Sequence, residues 1–165
     1  MVNFALLGAG RIGRMHAENL ARRSDAKLLY VVDTKPEAAR ALAEPLGARQ
    51  ATLEQALSDK NVHAVLIATS TGSHADLSIA AAKAGKAIFC EKPVDLTLPK
   101  VEACIKAVNK AKVPMFVGFN RRFDPSFREL KQRLDAGAVG TIEQVIITNR
   151  DPGLPDLRFL ATSGG

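Results

Sequence analysis

Tryptophan is absent from the chain, tyrosine occurs once (Tyr30), and seven phenylalanines complete the aromatic set. So few rings leave little for stacking on bases, and the surplus of basic residues has to be judged against that shortage. The 23 Lys and Arg against 17 Asp and Glu give a formal charge of +6. The excess is scattered as Arg22-Arg23, Lys110 to Lys112 and Arg121-Arg122 rather than gathered into one basic face. Nucleic acid is therefore not expected as a partner. Cysteine is also scarce: Cys90 and Cys104, fourteen residues apart and outside any ligand motif, read as buried thiols in a reducing compartment, implying neither a metal nor a disulfide. No apolar run approaches the roughly 20 residues needed to span a bilayer, so no membrane association is expected. The N-terminus enters an apolar strand without a basic leader, and a cytoplasmic protein is the expectation.

What the chain does contain is one unit repeated: a short aliphatic run, a turn with Gly, Ser, Thr or Asp, then an alanine-rich helical stretch. That alternation predicts an α/β fold, a doubly wound parallel sheet with helices on both faces. Strands are expected at Asn3 to Leu7, Leu28 to Val32, Ala64 to Ala68, Ala87 to Cys90 and Met115 to Phe119, each almost wholly apolar, as strands covered on both sides should be. Thr34 with Glu37 has capping-box spacing, with Pro36 in the first turn, and Thr52 to Gln55 and Ser73 to Asp76 are spaced alike. Gly85 should close a helix begun near His74, and Asp124-Pro125 should open one that ends near Gly137. A further strand is expected at Ile142 to Thr148, before a Pro- and Gly-rich stretch from Asp151 to Pro155. A complete domain over residues 1–120 and the start of a second, truncated one over 121–165 follow.

The first strand runs into Gly8-Ala9-Gly10-Arg11-Ile12-Gly13, a G-x-G-x-x-G that opens a helix inside one strand-helix-strand unit. This context predicts a Rossmann dinucleotide site: Gly8 for the tight turn, Gly10 for close approach of a pyrophosphate, Gly13 for helix–strand packing. The helix N-terminus supplies free N–H groups and a positive dipole end. Asp33, twenty residues after Gly13, is placed to accept hydrogen bonds from both adenosine ribose hydroxyls and to repel a 2′-phosphate. NAD is expected over NADP, although Lys35 softens the repulsion. The alternative makes Asp33 a turn residue capping the next helix, a task for which Thr34 is better suited. His16, alone on the first helix, reads as a satisfied core or rim residue.

The fourth predicted strand ends in Phe89-Cys90-Glu91-Lys92-Pro93, at the carboxyl edge where such sheets bind ligands. Position alone leaves Lys92 open. It is either a surface lysine in a turn or, near a positively charged nicotinamide, a group whose ammonium form is disfavoured and which orients a substrate hydroxyl.

Four stretches, GAGRIGRMHAENL (8–20), ATSTGSHADL (68–77), FCEKP (89–93) and GFNRRFDPSF (118–127), together resemble the Gfo/Idh/MocA oxidoreductase family, in particular its inositol-oxidising branch. Arg150-Asp151-Pro152 and Ser163-Gly164-Gly165 carry the likeness to the last residue, over about half of a typical member. The resemblance implies NAD-dependent oxidation of a secondary hydroxyl of a cyclitol or sugar, myo-inositol to its 2-keto form foremost, by a full-length homotetramer. It places Gly8, Gly10, Arg11, Ile12, Gly13 and Asp33 at the cofactor. Thr69, Ser70 and His74 would line it, their alternative being helix capping, which Ser73 could supply. Glu91 would lie near the nicotinamide ribose, and Lys92 would be the catalytic lysine. Asn120 and Arg121 would face substrate or nicotinamide, a multi-donor guanidinium suiting a polyol. Arg122 and Asp124 read equally well as a structural pair, and Asp151 as a turn residue before proline. In relatives an aspartate and a proton-accepting histidine follow the Ser-Gly-Gly motif. None of His16, His63 and His74 matches that histidine, so negligible turnover is expected of this chain alone. A stand-alone NAD-binding or sensing module is the competing reading.

Overall fold

The protein is described from a computed structural model that covers residues 1–150 and Gly153. The expectations for Asp151, Pro152 and the terminal Ser163-Gly164-Gly165 lie outside the described residues. In chain order the elements are β1 (Val2–Leu7), α1 (Arg11–Ala21), β2 (Ala26–Val32), α2 (Pro36–Ala43), β3 (Arg49–Gln50), α3 (Leu53–Ser58), β4 (Ala64–Ile67), α4 (His74–Lys83), β5 (Ala87–Cys90), α5 (Leu98–Ala111), β6 (Met115–Val117) and α6 (Pro125–Asp135).

The six strands form one sheet in the order β3-β2-β1-β4-β5-β6, every neighbouring pair parallel. This is the doubly wound Rossmann arrangement, and its winding reverses between β1 and β4. Side chains alternate across the sheet as period-2 geometry requires. Ala5, Leu7, Val65 and Ile67 enter a core shared with α3, α4 and α5. Leu6 and Leu66 enter another, shared with Ala17 and Leu20 of α1 and Ala39, Leu42 and Ala43 of α2. Burial on both faces explains why these strands read as unbroken apolar runs.

Helix ends match the expected chemistry at three places and depart from it at two. Thr52 accepts from the Gln55 N–H while the Gln55 side chain accepts from the Thr52 N–H, a complete capping box. Asp124 caps α6 by accepting from the Ser126 and Phe127 amides, and Gly85 follows the end of α4. The box at Thr34 does not form. The N-cap is Lys35, whose N–H donates to Asp33, and the Thr34 hydroxyl also donates to that carboxylate instead of capping the helix. Ser73 likewise makes no cap bond, because its hydroxyl is taken up by the Ser70 carbonyl and the Thr69 hydroxyl.

The expected strand at Ile142 to Thr148 is not formed; the segment has no regular structure, and Val145, Ile146 and Ile147 are exposed. A strand needs a partner ladder, and none of the described residues offers it one. Phe116, Phe119, Phe123, Phe127 and Leu130 are exposed around β6 and α6 as well.

Candidate functional site

Where the winding reverses, the carboxyl ends of the strands open onto a cleft of about 1240 Å³. Its wall includes Gly8, Gly10, Arg11, Ile12, Asp33, Thr69, Ser70, His74, Glu91 and Lys92. Ten residues predicted from separate parts of the chain thus share one cavity. Val32, Leu53 and Leu77 add apolar surface to the same wall.

The three glycines have distinct physical grounds. Gly8 adopts φ +101°, and a Cβ there would lie 2.5 Å from the Ala68 carbonyl oxygen, so the turn wedges against the end of β4. A Cβ on Gly13 would stand 1.9 Å from the Gly8 carbonyl oxygen, so glycine alone lets α1 press against the loop from beneath. A Cβ on Gly10 would meet nothing within 4 Å: it would project into the open cleft. Gly10 is also the N-cap of α1, no side chain caps that end, and no acidic residue stands in the first turn. An uncapped helix mouth facing a cavity, with Arg11 beside it, fits an anionic diphosphate.

Asp33 terminates β2 opposite that mouth. One carboxylate oxygen accepts from the Ala9 N–H at 2.7 Å, and the other accepts from the Lys35 N–H at 2.9 Å. Partial burial pushes this carboxyl up, but the two amides, the Thr34 hydroxyl and the Lys35 charge outweigh it and hold it below the ordinary carboxylate range. Asp33 is therefore ionised, pins the glycine loop, and keeps lone pairs for further donors. The turn role and the coenzyme-facing role are not exclusive.

At the far end, β5 delivers Glu91 and Lys92. The Glu91 carboxylate accepts from His16 Nε2 at 2.7 Å through one oxygen and from the Lys92 N–H at 3.2 Å through the other. His16 packs edge-on to Phe89, with ring centroids 5.2 Å apart. Sequence reading left His16 as a core or rim residue; its partner lies 75 positions away, and nothing local marks the pair. His74, which sequence reading set against the cofactor, is only 2% exposed. Its Nδ1 faces the Pro93 carbonyl at 2.7 Å and its Nε2 the Thr69 carbonyl at 3.1 Å. Both ring nitrogens thus face backbone carbonyls at the cleft wall.

Asn120 and Arg121 are not on the cleft wall. They occupy an exposed 3-10 turn after β6, with the Arg121 guanidinium over the Phe127 ring at 5.3 Å. The chain reaches that turn through Gly118, where a Cβ would be 3.2 Å from Glu91 Oε1, so the turn stands just beyond the lysine end. No helix of the described residues is long and apolar enough to cross a membrane.

Residues 2–119 match the GFO_IDH_MocA family model, described as an oxidoreductase family with an NAD-binding Rossmann fold. The chain belongs to this family. Among its relatives in the Gfo/Idh/MocA group, an inositol 2-dehydrogenase of Rhizobium meliloti (strain 1021) is 46% identical over 99% of this chain and 50% of its own length. A crystal structure of a myo-inositol dehydrogenase from Corynebacterium glutamicum superposes with a TM-score of 0.90 at 36% identity, covering 100% of this chain and 50% of that one. A scyllo-inositol dehydrogenase from Lactobacillus casei, solved with NAD(H) and scyllo-inositol, gives a TM-score of 0.80 at 29% identity over 85% of this chain and 42% of that one. The chain spans about half the length of these relatives. The coenzyme of this fold is NAD, and the uncapped α1 mouth and the ionised Asp33 fit it.

Proposed function

We propose that residues 1–120 are the coenzyme domain, and 121–165 the entry to a second domain, of a cytoplasmic NAD-dependent dehydrogenase that oxidises one secondary hydroxyl of a cyclitol, with myo-inositol as the substrate. The observation that carries this reading is a single cleft with the uncapped α1 mouth and the Asp33 carboxylate at one end and Lys92 at the other. Relatives of 46% and 36% identity that are named for inositol oxidation supply the substrate class.

In this reading the α1 amides and Arg11 hold the diphosphate, and Asp33 accepts from the adenosine ribose hydroxyls. Thr69 and Ser70 line the coenzyme, and Glu91 faces the nicotinamide ribose. Bound NAD supplies a hydride acceptor at nicotinamide C4. Lys92 Nζ, which has no hydrogen-bond or ion-pair partner among the described residues, holds the reacting hydroxyl and shares its proton. Asn120 and Arg121 reach the substrate from the adjoining turn. Each of the three histidines already has a partner: His16 holds Glu91, His63 Nδ1 accepts from the Asn3 N–H, and His74 is enclosed. No histidine is therefore left to take the alcohol proton, a contribution worth about a hundred- to ten-thousand-fold in rate, and turnover by this chain alone is negligible.

Calorimetric titration of the chain with NADH and NADPH tests the coenzyme half, with NADH expected to bind more tightly. Equal affinities, or no binding to either, would overturn it. A steady-state assay with myo-inositol tests the rest, and ordinary turnover by this chain would refute the reading that none of its histidines takes the alcohol proton.

A further inference from the structure

The pair formed by His16 and Glu91 joins two parts of the cleft that the chain itself keeps far apart. His16 lies on the helix whose first turn forms the cradle, and Glu91 precedes Lys92. Both side chains are largely shielded, 16% and 18% exposed, and their polar atoms meet at 2.7 Å. A carboxylate only accepts, so Nε2 of His16 carries the hydrogen. Three contacts box the carboxylate: His16 on one oxygen, the Lys92 N–H on the other, and the backbone at Gly118, close enough that a Cβ there would stand 3.2 Å away. Phe89, edge-on to the imidazole, fixes its plane.

We propose that His16 is a positioning residue: acting through Glu91, it fixes the Lys92 backbone relative to the coenzyme cradle, so that both ends of the cleft move as one rigid unit. This rests on the reading that Lys92 serves the cleft. It goes beyond that reading by giving a role to a helical histidine that is not among the residues lining the cleft. A site preset in this way loses less freedom when it binds.

The test uses the full chain, NADH fluorescence titration, and 13C NMR after reductive methylation of the lysines, with the Lys92 signal identified by its loss in Lys92→Arg. In His16→Leu the donor is gone while apolar packing on Phe89 is kept. NADH affinity should fall about tenfold, in line with loss of one hydrogen bond to a charged group, and the Lys92 resonance should move. His16→Gln, whose amide N–H reaches about as far, should bring both back to within about twofold of the wild type. Wild-type affinity and an unmoved resonance in His16→Leu would overturn the proposal, as would a His16→Gln as impaired as the leucine variant. Should His16→Leu not fold, Glu91→Gln decides. The two N–H groups bond different oxygens of Glu91, and the variant puts an NH2 donor in place of one of them, so the resonance should shift, and an unchanged signal overturns the proposal. A wild-type chain without NADH affinity would sink the coenzyme reading instead, and the Lys92 resonance would still report on His16.

Discussion

Gly10→Ala and Gly13→Ala, made side by side, should separate the binding function of the glycine loop from its structural function. At Gly10 the backbone is at φ −72°, ψ −171°, which alanine adopts without strain, and an added Cβ meets no protein atom within 4 Å. Replacing glycine at such a position stabilises a chain by about 0.4–1 kcal/mol through loss of unfolded-state freedom. A rise of about 1–3 °C in Tm is expected for a chain of this size. The same methyl stands in the cleft at the helix mouth, where it holds an anion off the amides. Loss of one or two hydrogen bonds to a charged group should weaken NADH by about ten- to a hundred-fold. At Gly13 the added Cβ would sit 1.9 Å from the Gly8 carbonyl oxygen, a backbone atom about 1.5 Å inside ordinary contact. Relief requires α1 to lift from the loop, at a cost of at least ~3 kcal/mol, and Tm should fall by about 6–12 °C. Thermal melts by circular dichroism and NADH titrations read the two effects independently. Gly10→Ala with undiminished NADH affinity would show that the diphosphate does not rest at this helix mouth. Gly13→Ala with wild-type Tm would refute the close-approach argument.

Asp33→Ala removes the acceptor for two backbone amides as well as the proposed ribose contact. It should cost about 1.5–3 kcal/mol in urea denaturation and abolish the preference for NADH over NADPH in paired titrations; a variant that keeps both would contradict the double role. His74→Leu removes the ring N–H held between the Pro93 and Thr69 carbonyls, and a loss of about 1–3 kcal/mol is expected in the same assay. Burial pushes the Cys90 thiol up from its ordinary 9.0 to about 11, and burial raises Cys104 in the same direction. A thiol whose folded value is raised contributes its full share below about pH 9 and loses it as pH climbs through about 11. Some 2–3 kcal/mol should therefore disappear across that window. Melting curves of the wild type and Cys90→Ala between pH 8 and 11 should show a flatter profile in the variant, and parallel profiles would contradict the assignment.

Much of the fold was legible because it rests on local rules. Apolar runs at 3–7 and 64–68 become strands since both sheet faces are covered, and the spacing of Gly8, Gly10 and Gly13 encodes a turn, an opening and a close approach. Thr52 and Gln55 cap a helix as their spacing indicates. What escaped notice depends on partners distant in sequence or on competition between neighbours. β3 is two residues long, Arg49–Gln50, and carries no apolar pattern. The contact of His16 with Glu91 and the enclosure of His74 between two loops exist only once the sheet has brought β1, β4 and β5 together. At Thr34 the spacing was correct and the outcome was not, because the Thr34 hydroxyl is turned towards the Asp33 carboxylate and the helix starts one residue later, with Lys35 as its N-cap. The segment around Val145 to Ile147 has the composition of a strand, yet composition cannot supply a neighbour.

The reversal of winding beside β1 has an evolutionary consequence. On the proposed reading, coenzyme discrimination sits in the wing built by the first fifty residues and the reacting end in the wing built by residues 64 to 117, and the two meet along the seam of β1 with β4, in the cores on both sheet faces, and where His16 touches Phe89 and Glu91. If positions 33 and 92 carry the proposed roles, preference for one nicotinamide coenzyme over the other can drift through changes near the first, and reaction chemistry through changes near the second, while the sheet that holds both is kept.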